Sequence, residues 1–284
     1  MLIVPFLHPG SSTWSYVVAD EPSRRAAIID PVLDYDAASG RTGTASAQVL
    51  VDHVRRQGYG LDWILETHAH ADYLSAAQFV KRELGGRVAI GEGIRDVQRT
   101  FKALYNLGEE FKCDGSQFDH LFKDAERFAV GGLEARVLSV PGHTGDSVAY
   151  HIGDAVFTGD SLFMPDSGSA RCDFPGGDAG TLYDSIHKLL SLPEATRLFV
   201  CHDYGQGGRA KLHETTVSEE RRANIHVKDG ISREQYIRMR RERDATLPVP
   251  ALLLPAIQVN IRAGRLPEPE ANGTSYLKIP VDTF

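Results

Sequence analysis

Short apolar runs separated by turn residues set the rhythm of the chain. Residues 2–7, 13–19 and 25–29 are apolar stretches broken by His8-Pro9-Gly10 and Asp20-Glu21-Pro22-Ser23, which predicts three strands in an antiparallel meander. A polar stretch, 34–44, leads into a helix over 45–57, with Val49, Leu50 and Val54 as its apolar stripe and Gly58 as its stop. Residues 61–65, apolar except for Asp62, read as a buried strand. Helix formers follow over 75–84, ending at Gly85-Gly86, then a strand at 87–90 and a helix at 94–105. Residues 106–124 show neither period; a stretch of that length is expected to be a flap or an outer elaboration.

Strand-like runs return at 127–130, 133–140, 147–152 and 155–158, and again before Cys201. Between them a helix over 180–192 aligns Leu182, Ile186, Leu189 and Leu190 on one core-facing side. Strand groups alternating twice with helices predict an α/β fold, a four-layer αββα sandwich of two sheets packed face to face with helices outside. Residues 232–246 read as a helix whose Arg and Glu/Asp residues form a solvated face. Proline-rich segments at 248–255 and 267–269 predict an extended C-terminal section, from about residue 230, wrapping a single domain that spans 1–284. That section is placed to build part of a pocket or a dimer contact.

With 284 residues, 42% of them hydrophobic, the chain has enough apolar matter for a sizeable core. A formal charge of −7 argues against nucleic acid or an anionic membrane as partner and leaves a small molecule. Cys113, Cys172 and Cys201 are odd in number and widely spaced, which suits a reducing compartment, read as the cytoplasm. No basic leader and no bilayer-length apolar run points elsewhere.

The chemistry concentrates at Thr67-His68-Ala69-His70-Ala71-Asp72-Tyr73, directly after the 61–65 strand. Residues i and i+2 of an extended segment project to one side, so His68 and His70 are set to face one site, with Asp72 at the following helix entry. Neutral imidazole suits zinc, iron and copper, and a carboxylate nearby either joins the ligands or orients them. A lone His-x-His is as often two surface histidines; three more strand ends carrying His143, Asp160 and His202 weigh against that reading here.

In this order and spacing, Thr67 to Asp72, Pro141-Gly142-His143-Thr144, Phe157-Thr158-Gly159-Asp160 and Cys201-His202-Asp203-Tyr204 resemble the metal-binding motifs of the metallo-β-lactamase superfamily. Gly168-Ser169-Ala170-Arg171-Cys172-Asp173-Phe174 and Thr181-Leu182-Tyr183-Asp184-Ser185-Ile186 further resemble the persulfide dioxygenases. Ala170 to Gly177 and Ile257 to Gly264 resemble the bacterial β-lactamase-like hydrolase branch of that group. The resemblance implies an oxygenase that binds one Fe(II) through His68, His143 and Asp160 and converts glutathione persulfide, O2 and water to glutathione and sulfite, in sulfide detoxification. It also implies a homodimer.

Binuclear zinc hydrolases of the superfamily, glyoxalase II among them, carry a histidine where this chain has Tyr73, and a neutral phenol is a poor ligand for a divalent metal beside imidazole. A second metal is therefore expected to be weak or lost, with His70, Asp72, Tyr73 and His202 orienting ligands, waters or substrate around a single ion. Arg171, Tyr204, Asn260 and Arg262 are the candidates for substrate binding, Arg171 having a salt bridge to Asp173 or Asp160 as its alternative. Cys172 is either a sulfane-sulfur exchange site or a small packing residue. His8, His53, His187, His213 and His226 are read as solvated. The competing activity is zinc-dependent, glyoxalase II-like thioester hydrolysis by metal-activated water; a metal or persulfide sensor and β-lactam hydrolysis rank below it. Nothing after Asp203 is long enough for a rhodanese-like domain, so a separate protein is expected to supply the sulfur.

Overall fold

The computed structural model describes residues 1–283. Strands β1 (Leu2–His8), β2 (Thr13–Asp20) and β3 (Arg25–Ile29) form the expected antiparallel meander. β4 (Val32–Asp36) and β5 (Arg41–Gly43) make a small ribbon, and α1 (Ala45–Gln57) crosses back to β6 (Gly60–Leu65), parallel to β3. Then come β7 (Leu74–Ser75), α2 (Ala77–Leu84), β8 (Arg87–Gly91), α3 (Ile94–Leu104) and β9 (His120–Phe122), completing a six-stranded sheet in the order β1-β2-β3-β6-β8-β9. The second half adds β10 (Arg127–Val130), β11 (Leu133–Ser139), β12 (Val148–Ile152), β13 (Ala155–Phe157), α4 (Ala179–Leu190), β14 (Arg197–Phe199) and β15 (Glu214–Thr216). Its sheet runs β10 to β15 in chain order, and α5 (Val217–Ala223), α6 (Arg233–Asp244) and α7 (Leu253–Asn260) follow.

Alternation along the strands builds the layers. Val17, Ala26, Ile28 and Ile64 face α1, α2 and α3 on the outside, while Val18, Ala27, Ile29 and Leu65 face inward. There they meet Val137, Tyr150, Phe157 and Phe199 of the second sheet, whose opposite face, with Leu138, Val156 and Leu198, packs on Leu182, Ile186 and Leu189 of α4. Three apolar layers between four layers of backbone make the expected αββα sandwich.

The structure departs from the sequence reading at several places. α1 buries Ala47, Leu50, Val51 and Val54, whereas Val49 is exposed, because the i, i+3, i+4, i+7 stripe begins at alanine. Helix α2 starts at Ala77, since Leu74 and Ser75 pair with β4 instead. The stretch after α3 contains one short strand, β9. α6 is not a purely solvated face: Tyr236, Arg240 and Asp244, at i, i+4 and i+8, are buried. Residues 253–260 form a helix, α7, whose Leu253, Ile257 and following Ile261 join the first outer core; Pro255 lies in its first turn, where the missing N–H has no helical acceptor. His8, His53, His187, His213 and His226 are half-buried rather than solvated.

Candidate metal centre

Strand ends of both sheets deliver the site. The loop after β6 carries His68, His70, Asp72 and Tyr73; His143 lies between β11 and β12; Asp160 sits in a single tight turn, Gly159–Ser161, after β13; His202 follows β14 and bridges to Thr13 of β2. Gly159 has φ +54, and a Cβ there would come within 2.8 Å of Thr67, so this turn approaches the first sheet only as glycine.

His68, His143 and Asp160 bring their ligand atoms within 4.8 Å of one another, all three buried. His68 Nε2 is 3.9 Å and His143 Nε2 3.6 Å from Asp160 Oδ2. Their other nitrogens fix the tautomers. Thr67 Oγ1 donates to Asp30 Oδ2 (2.9 Å), so towards His68 Nδ1 at 3.0 Å it acts as acceptor and that nitrogen carries the proton. His143 Nδ1 lies 2.6 Å from the Arg171 carbonyl, which only accepts. Both Nε2 lone pairs therefore face the site, and burial together with neighbouring imidazoles holds His68 neutral. His68 Nε2 and Asp160 Oδ1 are buried without a hydrogen-bond partner. Buried polar atoms left unpaired are costly, so lone pairs converging in this way fit a metal ion, with Thr67 and the Arg171 carbonyl orienting its ligands.

His70 lies beside His68, the rings tilted by 48° with centroids 3.9 Å apart, and donates from Nε2 to Asp30 Oδ1 at 3.0 Å. Burial alone would lower its pKa; the Asp30 carboxylate overrides this and raises it to about 9. Glu66, 3.9 Å from His70 Nε2, is pushed by burial up to about 8. His202 Nε2 lies 3.3 Å from Asp72 Oδ2 and 3.4 Å from Asp160 Oδ1. Tyr73 is buried, stacks on His70 at 4.3 Å, and leaves its hydroxyl without a partner.

A cavity of about 830 Å³ opens over His143, Asp160 and Asp72 and is lined by Phe163, Phe174 and Tyr204. Arg171 is on its wall, with its guanidinium paired in two bonds of 2.7 Å to Asp173 and donating to Pro248 O. Tyr204 is 55% exposed and parallel to His202. Asn260 and Arg262 lie elsewhere, against expectation. Asn260 is buried beneath the metal loop, donating to His70 O (2.7 Å) and Tyr73 O (2.8 Å) and accepting from Ser75 N (2.8 Å). Arg262 lies over Phe111 beside a separate cavity. Cys172 donates to Asp244 Oδ2 at 3.4 Å, and burial with that carboxylate pushes its thiol up to about 12, the opposite of an exchange nucleophile. Asp30 and Glu66, which the sequence reading missed, are the acids behind His70. The Asp30-Pro31 step directly after β3 is the signal that could have found Asp30, whose φ is +50.

Residues 8–202 match the sequence profile of the Metallo-beta-lactamase superfamily. The beta-lactamase hydrolase-like protein of Agrobacterium fabrum is 54% identical over 96% of this chain, which spans 63% of that relative's length. Mouse mitochondrial persulfide dioxygenase ETHE1 is 30% identical, covering 93% of this chain and 89% of the mouse protein. The crystal structure of ETHE1 from Myxococcus xanthus superimposes with a TM-score of 0.74 at 30% identity, over 93% of this chain and all of that one. An αββα sandwich matched over residues 8–202, most of its length, makes the chain a member of the metallo-β-lactamase superfamily.

Proposed function

We propose that the protein is a persulfide dioxygenase with one non-heme Fe(II) per chain, oxidising glutathione persulfide with O2 and water to glutathione and sulfite in sulfide detoxification. The observation that carries this reading is the donor set: two imidazoles and one carboxylate, His68, His143 and Asp160, converge while the phenol of Tyr73 stacks on the neighbouring His70. Bound there, Fe(II) would supply the one-electron chemistry by which dioxygen and a persulfide sulfur react. The chain's own residues do the rest. Thr67, backed by Asp30, and the Arg171 carbonyl hold the two imidazole tautomers; Asp72 and His202 stand beside Asp160 to take up protons from the cavity; Phe163 and Phe174 keep its wall apolar. A cavity of about 830 Å³ accommodates a tripeptide-sized thiol, and Tyr204, Ser167, Gln206 and Arg243 are among the polar groups on its wall, while the Arg171 guanidinium is held by Asp173 and Pro248. The kinship with mouse persulfide dioxygenase supports the same reading. Cytoplasmic location and homodimeric assembly belong to this proposal.

Zinc-dependent thioester hydrolysis is the second reading. It is favoured by the approach of Asp72, Asp160 and His202 to one another and by the hydrolase-like name of the Agrobacterium relative. Metal analysis of protein purified without oxygen separates the two: one iron per chain is expected for the dioxygenase, two zinc ions for the hydrolase.

A further inference from the structure

Two stretches of the substrate cavity's wall are tied together by a residue that lies outside it. Phe163, Asp166 and Ser167, following the Asp160 turn, form one stretch of the lining; Tyr204 and Gln206, following His202, form another. Arg209 does not line the cavity, yet its guanidinium spans the two. Nε and Nη2 each donate to Asp166 at 2.6 Å, while Nη1 and Nη2 donate to Asp203, next to Tyr204, at 2.5 and 2.9 Å. Every nitrogen of the fork is used, in the planar two-sided pairing that arginine supplies and lysine does not.

The backbone beside Tyr204 explains why such a tie matters. Gly205, Gly207 and Gly208 all have positive φ, so three of the four residues between Tyr204 and Arg209 place little restraint on the loop. A Cβ at Gly205 would stand 2.6 Å from Arg209 O, so the chain folds back on Arg209 only as glycine. Little packing orders this rim. Gln206 is exposed, and Tyr204, 55% exposed, has only distant ring neighbours in His202 (6.1 Å) and Phe163 (6.4 Å). Its fixed point is Asp203, which is fully buried and accepts from Gly205 N (3.3 Å) and Leu212 N (2.6 Å). Among the described residues Arg209 is the one cation within ion-pair distance of Asp203. An ordinary exposed ion pair contributes little; this cation compensates a buried charge and reaches on to the opposite stretch of wall.

We propose that Arg209 is a positioning residue for the substrate: by clamping Asp203 to Asp166 it holds Tyr204 and the glycine-rich rim in place before the thiol arrives. The inference rests on the proposed function in taking this cavity as the seat of a glutathione-bearing thiol. Because the rim is ordered beforehand, the thiol's binding energy is not consumed in ordering it. Arg209 touches neither the thiol nor the reacting atoms, so its effect belongs in KM and not in kcat.

The experiment compares Asp166→Ala and Arg209→Gln with the parent, all loaded with iron. Asp166→Ala removes the exposed anchor and leaves the buried Asp203 with its cation, so this variant is expected to fold even if Arg209→Gln does not. Expected in each is a KM for glutathione persulfide, and a Kd for glutathione in calorimetric titration, raised roughly 10-fold, with kcat within about twofold and metal content unchanged. Amide exchange is expected to speed up at residues 204–210 alone and to slow again under saturating glutathione. Since Arg209 acts through Tyr204, Tyr204→Ala combined with Arg209→Gln is expected to cost no more than the larger single loss. Arg233→Gln breaks a comparable exposed pair, with Asp184, away from the cavity and is expected to leave both constants alone. Unchanged KM and Kd in folded Asp166→Ala, or losses from Arg209 and Tyr204 that add in full, would overturn the proposal. A parent that binds glutathione but consumes no O2 would count against the dioxygenase reading, while the Kd comparison would still decide the role of Arg209. A parent that binds no glutathione would overturn both.

Discussion

Under the proposed function, Tyr73 limits the rim to one metal. Its ring stacks on His70 at 4.3 Å and its hydroxyl is buried without a partner, where a binuclear relative would carry an imidazole. Burial, reinforced by the surrounding acids, raises the phenol pKa well above its ordinary value, so it is no anionic ligand. Tyr73→His is therefore expected to raise bound zinc from about one to about two equivalents per chain and to lower oxygen uptake, as read by metal analysis and an oxygen electrode. Cys172 makes the opposite kind of prediction. Its thiol is a hydrogen-bond donor to Asp244 with a pKa pushed up to about 12, so it should resist alkylation at pH 8 in the folded protein. Cys172→Ser is expected to keep persulfide turnover within about twofold, a range consistent with a packing role; loss of sulfur oxidation in a folded, metal-replete variant would contradict this assignment.

Among the elements, α7 holds the metal loop from outside the His and Asp motifs of the site. Asn260, the last residue of α7, satisfies the carbonyls of His70 and Tyr73 and the N–H of Ser75 at once. Asn260→Ala leaves these groups buried and unpaired, which is expected to cost about 2–4 kcal/mol and to lower iron retention, measured by thermal melting and metal release to a chelator. The same helix marks the boundary of what the sequence discloses. His68, His143, Asp160 and His202 were legible because each lies in a short local pattern at the end of an apolar run, and the apolar runs bounded by turn residues gave the two sheets. α7 was not, because Pro250 and Pro255 look like helix breakers until the helix start is placed between them. Asn260 acts across 185 or more residues, and no local pattern announces a partner that far away. Arg240 and Asp244 read as solvated charges in α6, yet tertiary packing buries them as a pair that holds Ser169 O and Cys172 N.

For the whole molecule, the αββα sandwich turns two separately built sheets into one rim, and stability should carry a pH signature independent of the metal. Glu220 on α5 is buried, with Oε2 accepting from Asn224 at 2.6 Å, and burial raises its pKa from 4.5 to about 8. Below pH 4.5 both the folded and the unfolded chain hold this proton. Between 4.5 and about 8 only the folded chain does, so this group's contribution to stability falls as pH rises through that window and levels off above it. Glu220→Gln is expected to flatten the dependence, gaining about 1–3 kcal/mol over the parent at pH 8 relative to pH 5 in denaturant titrations; an unchanged slope would contradict the assignment. The central claim concerns chemistry at the rim, and oxygen uptake tests it most directly. Glutathione persulfide added to iron-loaded protein in an oxygen electrode is predicted to consume O2 and release sulfite in equal amounts, and to do neither in His68→Ala, His143→Ala or Asp160→Ala. Thioester cleavage by the zinc-loaded protein, with no oxygen uptake by the iron-loaded form, would contradict the dioxygenase account.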